Sequence, residues 1–301
     1  MKCRAQMLTV MLTIMSLFAA IPLQANNNYC SKSTARNFFR VNLGRVDQAQ
    51  LDTAAPAQVE TSINEINSVW VFDRDPQHTR SLGFNFRYSI IDLESIDAMT
   101  NGHLHTWDFP YQGRLNNTDS ELFYVITPAI SVSSNVLKNP ELIGSDGLQL
   151  YTGLVYKKNT SVDTAWFLGF RSDHRFGSYK AYPVVGVCMQ AANDWNLQLA
   201  LPDFSIQKRI NRRFSLELFV EPVGNQWQVF SKDRTRESNF IYDATMTGLA
   251  AKWRIDDSMN VSLAIQKQTN RRFSFVLDDN TLFESEAESG RGVVVTAEVR
   301  F

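Results

Sequence analysis

Cysteine is scarce in this 301-residue chain, which holds three, at positions 3, 30 and 188. That is too few for a disulfide-stapled scaffold or a four-ligand zinc site. Histidine is nearly as rare, at His78, His103, His105 and His174. Basic residues do not outnumber acidic ones, 30 against 31, so the electrostatic footprint of a nucleic-acid binder is missing. No Pro/Gly/Ser-rich linker divides the middle of the chain and no glycine-rich loop suited to phosphate is present. Helical periodicity never competes after the N-terminal run. These absences favour one large, non-helical domain.

The long apolar run lies at the N-terminus. "MKCRAQMLTVMLTIMSLFAAIPLQA" opens with Lys2 and Arg4, continues apolar from Met7 to Leu23 and ends at the small residue Ala25. This is the order of a secretory signal peptide, so residues 1–25 are expected to be removed after export. With them go Cys3 and two cations, leaving a mildly acidic mature chain. Residues 26–79 are polar, show no strong period and are expected to form an N-terminal extension. Cys30 and Cys188 remain. In an oxidising compartment they either pair or stand as two separate thiols. A bond between them would tether the extension inside the domain.

From residue 80 the chain alternates with period two. Leu82, Phe84, Phe86, Tyr88 and Ile90 share a face, as do Leu148, Leu150, Leu154 and Tyr156, then Trp195, Leu197, Leu199 and Leu201. Turn clusters ("KKNTS", "QAAND", "NRR", "DDS") alternate mostly with longer polar loops. The pattern predicts an all-β, up-and-down antiparallel barrel over residues 80–301, with about twelve strands and a range of ten to fourteen. Strands of about ten residues suit a tilted membrane crossing, whereas soluble strands are usually nearer five or six. A transmembrane barrel turns its apolar row to lipid and its polar row to the lumen. The expected lumen cluster is Arg87, Lys180, Arg209, Glu217, Glu221, Glu298 and Arg300. Tyr88, Tyr156, Trp166, Phe170, Tyr179, Trp195 and Phe214 fall near strand ends, where interfacial girdles belong.

The final "VVVTAEVRF" puts Val293, Val295, Ala297, Val299 and Phe301 on one face, with Thr296, Glu298 and Arg300 opposite. It resembles the C-terminal signal of Gram-negative outer-membrane barrels. That likeness implies recognition by the barrel-assembly machinery and a place in the outer membrane among lipid and lipopolysaccharide. A second likeness rests on Arg175, Gly177, Tyr182, Pro183, Gly186, Trp195, Leu197, Leu199, Pro202, Gly224 and Trp227. These resemble the motif of a bacterial outer-membrane barrel family of unknown function, extending over about 80–301. The chain departs from that motif at Asn225, where the usual glycine pair is broken. The resemblance implies the fold and brings no chemistry with it.

Chemistry is thinly written. "HLH" sets His103 and His105 on one strand face, expected to be the lumen or a loop, and two ligands of one type make a weak metal signal. "SDHRFG" offers Ser172, Asp173 and His174, expected in a solvated external loop. "NRRFS" occurs twice. The first copy is expected at a periplasmic turn. The second is expected on an external loop, with Arg271 and Arg272 facing lipopolysaccharide phosphates. Pro183 with Gly186 marks a bulge or bend. No cofactor is implied. The expected role is a non-enzymatic barrel, either a narrow pore or a structural envelope protein. The alternatives are an outer-membrane hydrolase with a His-centred site and a soluble periplasmic barrel around an apolar ligand.

Overall fold

A computed structural model describes residue 30 and residues 36–52, 58–94, 102–191, 194–230, 237–277 and 280–301. The expected leader, residues 1–25, lies outside these. Sixteen strands follow one another: β1 Phe38–Gln50, β2 Gln58–Arg74, β3 His78–Glu94, β4 Gly102–Asp108, β5 Tyr111–Asn116, β6 Ser120–Ser133, β7 Leu148–Asn159 and β8 Thr164–Phe176. After these come β9 Ser178–Ala191, β10 Trp195–Leu201, β11 Phe204–Arg209, β12 Phe214–Phe230, β13 Glu237–Arg254, β14 Met259–Leu277, β15 Asn280–Ala287 and β16 Gly290–Arg300. A short helix, α1, spans Ser134–Leu137 between β6 and β7.

Neighbouring strands pair antiparallel around a closed ring of fourteen positions. β5 continues the position of β4 along β3 and β6, and β15 continues that of β16 along β14. The ring closes where β16 pairs with β1, from Phe38↔Arg300 to Val46↔Gly292. One further bond at the lower rim runs from the Phe301 amide to the Asn37 carbonyl at 3.1 Å. The fourteen ring positions stand at the upper end of the expected ten to fourteen. Residues 38–79 are no extension: they build β1, β2 and the start of β3, and β1 is the strand that closes the barrel.

These two strands escape a periodicity search because their apolar row changes sides. In β2, Val59 and Ile63 are buried inward, whereas Ile66, Trp70 and Phe72 belong to the exposed outward row. The same switch recurs elsewhere. In β13, Phe240, Tyr242 and Met246 are buried inward, and lower down Leu249 and Trp253 stand exposed. In β14, Leu263 and Ile265 face out below, and Phe273 and Phe275 face in above. The outward positions of the upper half are polar: Arg45, Asp243, Thr245, Lys267, Arg272 and Arg291. The lower half thus has an apolar outside and a polar inside, as membrane strands do, while the upper half is built like a water-soluble barrel around an apolar core. β15 was hidden for a related reason. "NTLFESEA" looks like an acidic loop, yet Phe283 and Ala287 pack on that core while Glu284 and Glu286 stay outside.

The upper core is aromatic. Trp227, Phe240, Tyr242, Phe273 and Phe275 are almost wholly buried, and the rings of Phe240 and Phe275 lie 4.8 Å apart. A buried aromatic truncated to alanine loses about 3–5 kcal/mol. Phe240→Ala is therefore expected to lower unfolding stability by about that amount in a urea titration in micelles. Leu249→Ala on the outward row should cost far less, because lipid fills the space it leaves.

Candidate functional site: the lumen and its partition

The lower lumen is a set of paired charges. Glu65 of β2 accepts from Arg87 of β3 at 3.1 Å and from the Asn42 amide of β1 at 2.8 Å. Glu298 lies between Arg40 and Arg300, accepting from the Arg300 Nε at 2.7 Å. Glu217 meets Lys252 across β12 and β13. Strand alternation alone turns these side chains inward, and the excluded lipid outside leaves them only each other and water as partners.

β10 and β11 form a half-height hairpin, with last pairings at Leu201↔Val185 and Phe204↔Val220. Above that level β12 has no β11 beside it. It instead leans across to β6, reached by the parallel bridge Gln228↔Val132. The upper half of β12 thereby partitions the lumen. On one side Trp227 donates its Nε1 to the Thr106 hydroxyl at 3.0 Å, and the Asn225 amide donates to Thr106 and Ser131 at 3.0 and 2.9 Å. On the other side the tip of the β8–β9 hairpin lies over Gly224. A Cβ on Gly224 would stand 2.5 Å from the Tyr242 carbonyl and 2.8 Å from the Gly177 amide. Gly177 itself has φ +82, a turn conformation that favours glycine.

One guanidinium ties this junction. Arg175 of β8 forks onto the Asp203 carboxylate at the β10–β11 turn, at 3.0 Å from one oxygen and 2.5 Å from the other. It also donates to the Pro222 carbonyl at 3.3 Å and lies 3.5 Å from Glu221. Behind it Asp173 accepts from the Tyr182 hydroxyl at 2.7 Å. A planar guanidinium suits this task because it serves a carboxylate and a stray carbonyl together. Pro183 sits on β9 above the last β10 pairing, opposite Phe170 of β8, where one side of β9 is a free edge that tolerates proline. No register shift occurs at Pro183 or Gly186, which replaces the expected bulge. Gly186 instead lets Ala200 and the Phe167 ring approach, each 2.6 Å from where a Cβ would be.

Several expected placements change. Lys180 is exposed at the upper end of β9, and Arg209 is exposed at a lower turn 3.6 Å from Asp194, so neither lines the lumen. Alternation turned them toward the inner side, but Arg209 stands at the lower rim, and Lys180 belongs to the β8–β9 hairpin tip, on the side of β12 away from the aromatic core. His103 and His105 face outward, not into the lumen. The Tyr88 hydroxyl lies 2.5 Å from the His103 ring, and the His105 ring stacks on Tyr88 and Trp107. Ser172, Asp173 and His174 belong to β8 and not to a loop. Ser172 meets Thr152, Asp173 meets Tyr182, and His174 packs against Tyr151 and Tyr179, so the three do not converge. Arg271 is fully buried inside the barrel, donating to Thr61 at 3.2 Å, and Arg272 on the outer wall pairs with Asp243 at 3.0 Å. Neither lies on an external loop, because β14 runs on through them.

Cys30 is bonded to Cys188, with a Cα–Cα distance of 5.2 Å. Cys188 faces inward beside Val155, Ala165, Phe167 and Val184, so the residue at position 30 stands within the lumen. Val293, Val295, Ala297 and Val299 form the outward row of β16, and Thr296 and Glu298 point inward. Thr106, Ser131, Asp203 and Tyr242 were not singled out from sequence. Each lies in a separate strand or turn, and no local pattern links them.

A closed antiparallel ring with an apolar lower belt and an ionic lumen is the fold of the outer-membrane β-barrels. Residues 125–295 match the model of a domain of unknown function, DUF6268, and the chain belongs to that family. A search of curated proteins returns no match. Among solved structures, the COG4313 outer membrane channel from Pseudomonas putida F1 is similar, with a TM-score of 0.52 and 9% identity. The likeness covers 92% of this chain and 100% of that one, and at this identity it speaks to the fold. The Pseudomonas putida toluene transporter TodX is a looser likeness, with a TM-score of 0.41 and 9% identity over 94% of this chain and 96% of its own.

Removing the guanidinium strands two carboxylates and a carbonyl in a buried site, a loss of about 3–5 kcal/mol. Arg175→Met is expected to show that loss in urea unfolding. Gly224→Ala should free the β8–β9 hairpin tip, measured as faster proteolysis there, with the rest of the barrel resistant.

Proposed function

We propose that this protein is an outer-membrane β-barrel, exported through its N-terminal leader, that passes small solutes by a narrow route and stands closed in the conformation described. The observation that carries this is the contrast between the two halves of the lumen. Among the described residues, Asp108 Oδ1, Glu221 Oε1 and Thr296 Oγ1 of the lower lumen find no protein partner, nor does either amide atom of Gln266 at the level of the core; above it Gln268 Nε2 and Arg271 Nε are also unpartnered. Buried groups of this kind are satisfied by water, so the lower lumen is a hydrated vestibule. Above it, β12 and the aromatic core fill the passage. A polar vestibule under an aromatic plug is the arrangement of a shut channel. The lumen's paired charges of both signs give no preference for an ion. The Cys30–Cys188 bond supports an N-terminal segment anchored inside the vestibule.

The same aromatic core favours a second reading, a structural barrel with no passage. Conductance separates the two. In planar bilayers the wild type should be nearly silent, and Trp227→Ala combined with Asn225→Ala should give stepwise openings. A doubly substituted barrel that keeps its heat-modifiable migration yet stays silent would sink the channel reading and leave the structural one. For the C-terminal strand, deleting Phe301 is expected to reduce insertion in cells several-fold while refolding in detergent is nearly unchanged. Equal insertion of the deleted and intact chains would remove its role as an assembly signal.

A further inference from the structure

At the lower rim the β11–β12 turn opens an outward cleft of about 630 Å³ lined by Asn211, Arg212, Arg213, Phe214 and Trp253. The turn holds its shape without its arginine side chains. Asn211 accepts the amides of Arg213 and Phe214, each at 2.8 Å, and the Ile210 amide donates to the Phe214 carbonyl at 3.0 Å. Among the described residues neither Arg212 nor Arg213 makes an ion pair. The adjacent lower turns carry carboxylates. Asp194 pairs with Arg209, Asp256 accepts the Ser258 and Met259 amides, and Asp257 stands beside it. The β11–β12 turn carries two arginines and no acid.

The cleft also straddles a boundary. Phe214 and Trp253 are cross-strand partners, and both belong to outward rows that continue upward as Leu216, Leu218 and Leu249. Trp253 is 56% exposed. An aromatic pair at the end of an apolar row, with free guanidinium groups directly below, places an amphipathic cleft at the depth of lipid headgroups. Guanidinium groups recognise phosphate oxygens through paired N–H donors.

We propose that this cleft binds a glycerophospholipid of the adjoining leaflet. Arg212 and Arg213 hold the phosphate, and Phe214 and Trp253 lie along the glycerol and the first acyl carbons. The proposal rests on the membrane reading above and adds a specific lipid site to it.

The test uses the full-length protein in micelles, titrated with phosphatidylglycerol and followed by native mass spectrometry. The wild type should retain one lipid, and Arg212→Ala combined with Arg213→Ala should retain it roughly tenfold more weakly. Because these side chains take no part in the turn, the double variant should keep its heat-modifiable migration. Trp253→Ala should weaken lipid retention without changing the response to inorganic phosphate. Equal lipid retention in the double variant overturns the site. Inorganic phosphate that displaces the lipid at equimolar concentration overturns it in favour of a free-anion site. A wild type that inserts into vesicles but retains no lipid overturns the site alone, whereas one that fails to insert overturns the membrane reading with it.

Discussion

In hydrocarbon an unpaired backbone N–H or C=O has no water to turn to, and each such group costs several kcal/mol. The rest of this structure depends on that constraint. It forces the sheet to close, and closure is made by β16 against β1, strands about 250 residues apart along the chain. It also explains why β4 and β5 keep one ring position despite a break. A gap in the wall would leave two edges unpaired, so a neighbour spans both pieces.

Where the solvent outside changes, the strands change with it. β2, β12, β13 and β14 run for 17 to 19 residues, longer than the nine to eleven that cross a bilayer. Their lower parts set apolar rows outward. Their upper parts set aromatic rings inward around a core. Since β10 and β11 stop at half height, the upper ring is narrower, and β12 must leave its place beside them to reach β6. Arg175, Gly177 and Gly224 are the residues that this departure requires. The arginine serves the carboxylate and carbonyl exposed there, and the two glycines let a hairpin tip lie directly on a strand. Pro183 and Trp227, which share the same sequence motif, stand at the free edge of β9 and at the inner anchor of β12. Scattered in sequence, these residues converge on one junction.

Much of this was legible in advance, and the reason is alternation. Wherever lipid lies outside along the whole segment, as for Leu82 to Ile90 or Val293 to Phe301, the two faces differ in every second residue and the strand is plain. β1, β5, β15 and most of β2 were missed. In β1 and β2 the apolar row switches sides where the solvent outside changes, and β5 and β15 are too short and too polar to show a row. Lys180 and Arg209 were assigned inward by parity alone, which says nothing about where a strand ends or on which side of β12 it lies. His103 and His105 were placed by their polarity. In the structure they lie on the outer wall, where the Tyr88 hydroxyl meets His103 and the Ser134 hydroxyl meets His105.

By itself the sequence determined the fold class, the facing of most strands below the partition, and the chemical character of the closing strand. These follow from local periodicity, which each strand carries within its own residues. Only the tertiary structure decided which strand closes the ring, how β12 divides the lumen, and which groups Arg175 meets. Those depend on strand lengths and register around the whole barrel. A half-height hairpin at 195–209 changes the partner of a segment at 221–230, and no local pattern records that the neighbour is missing.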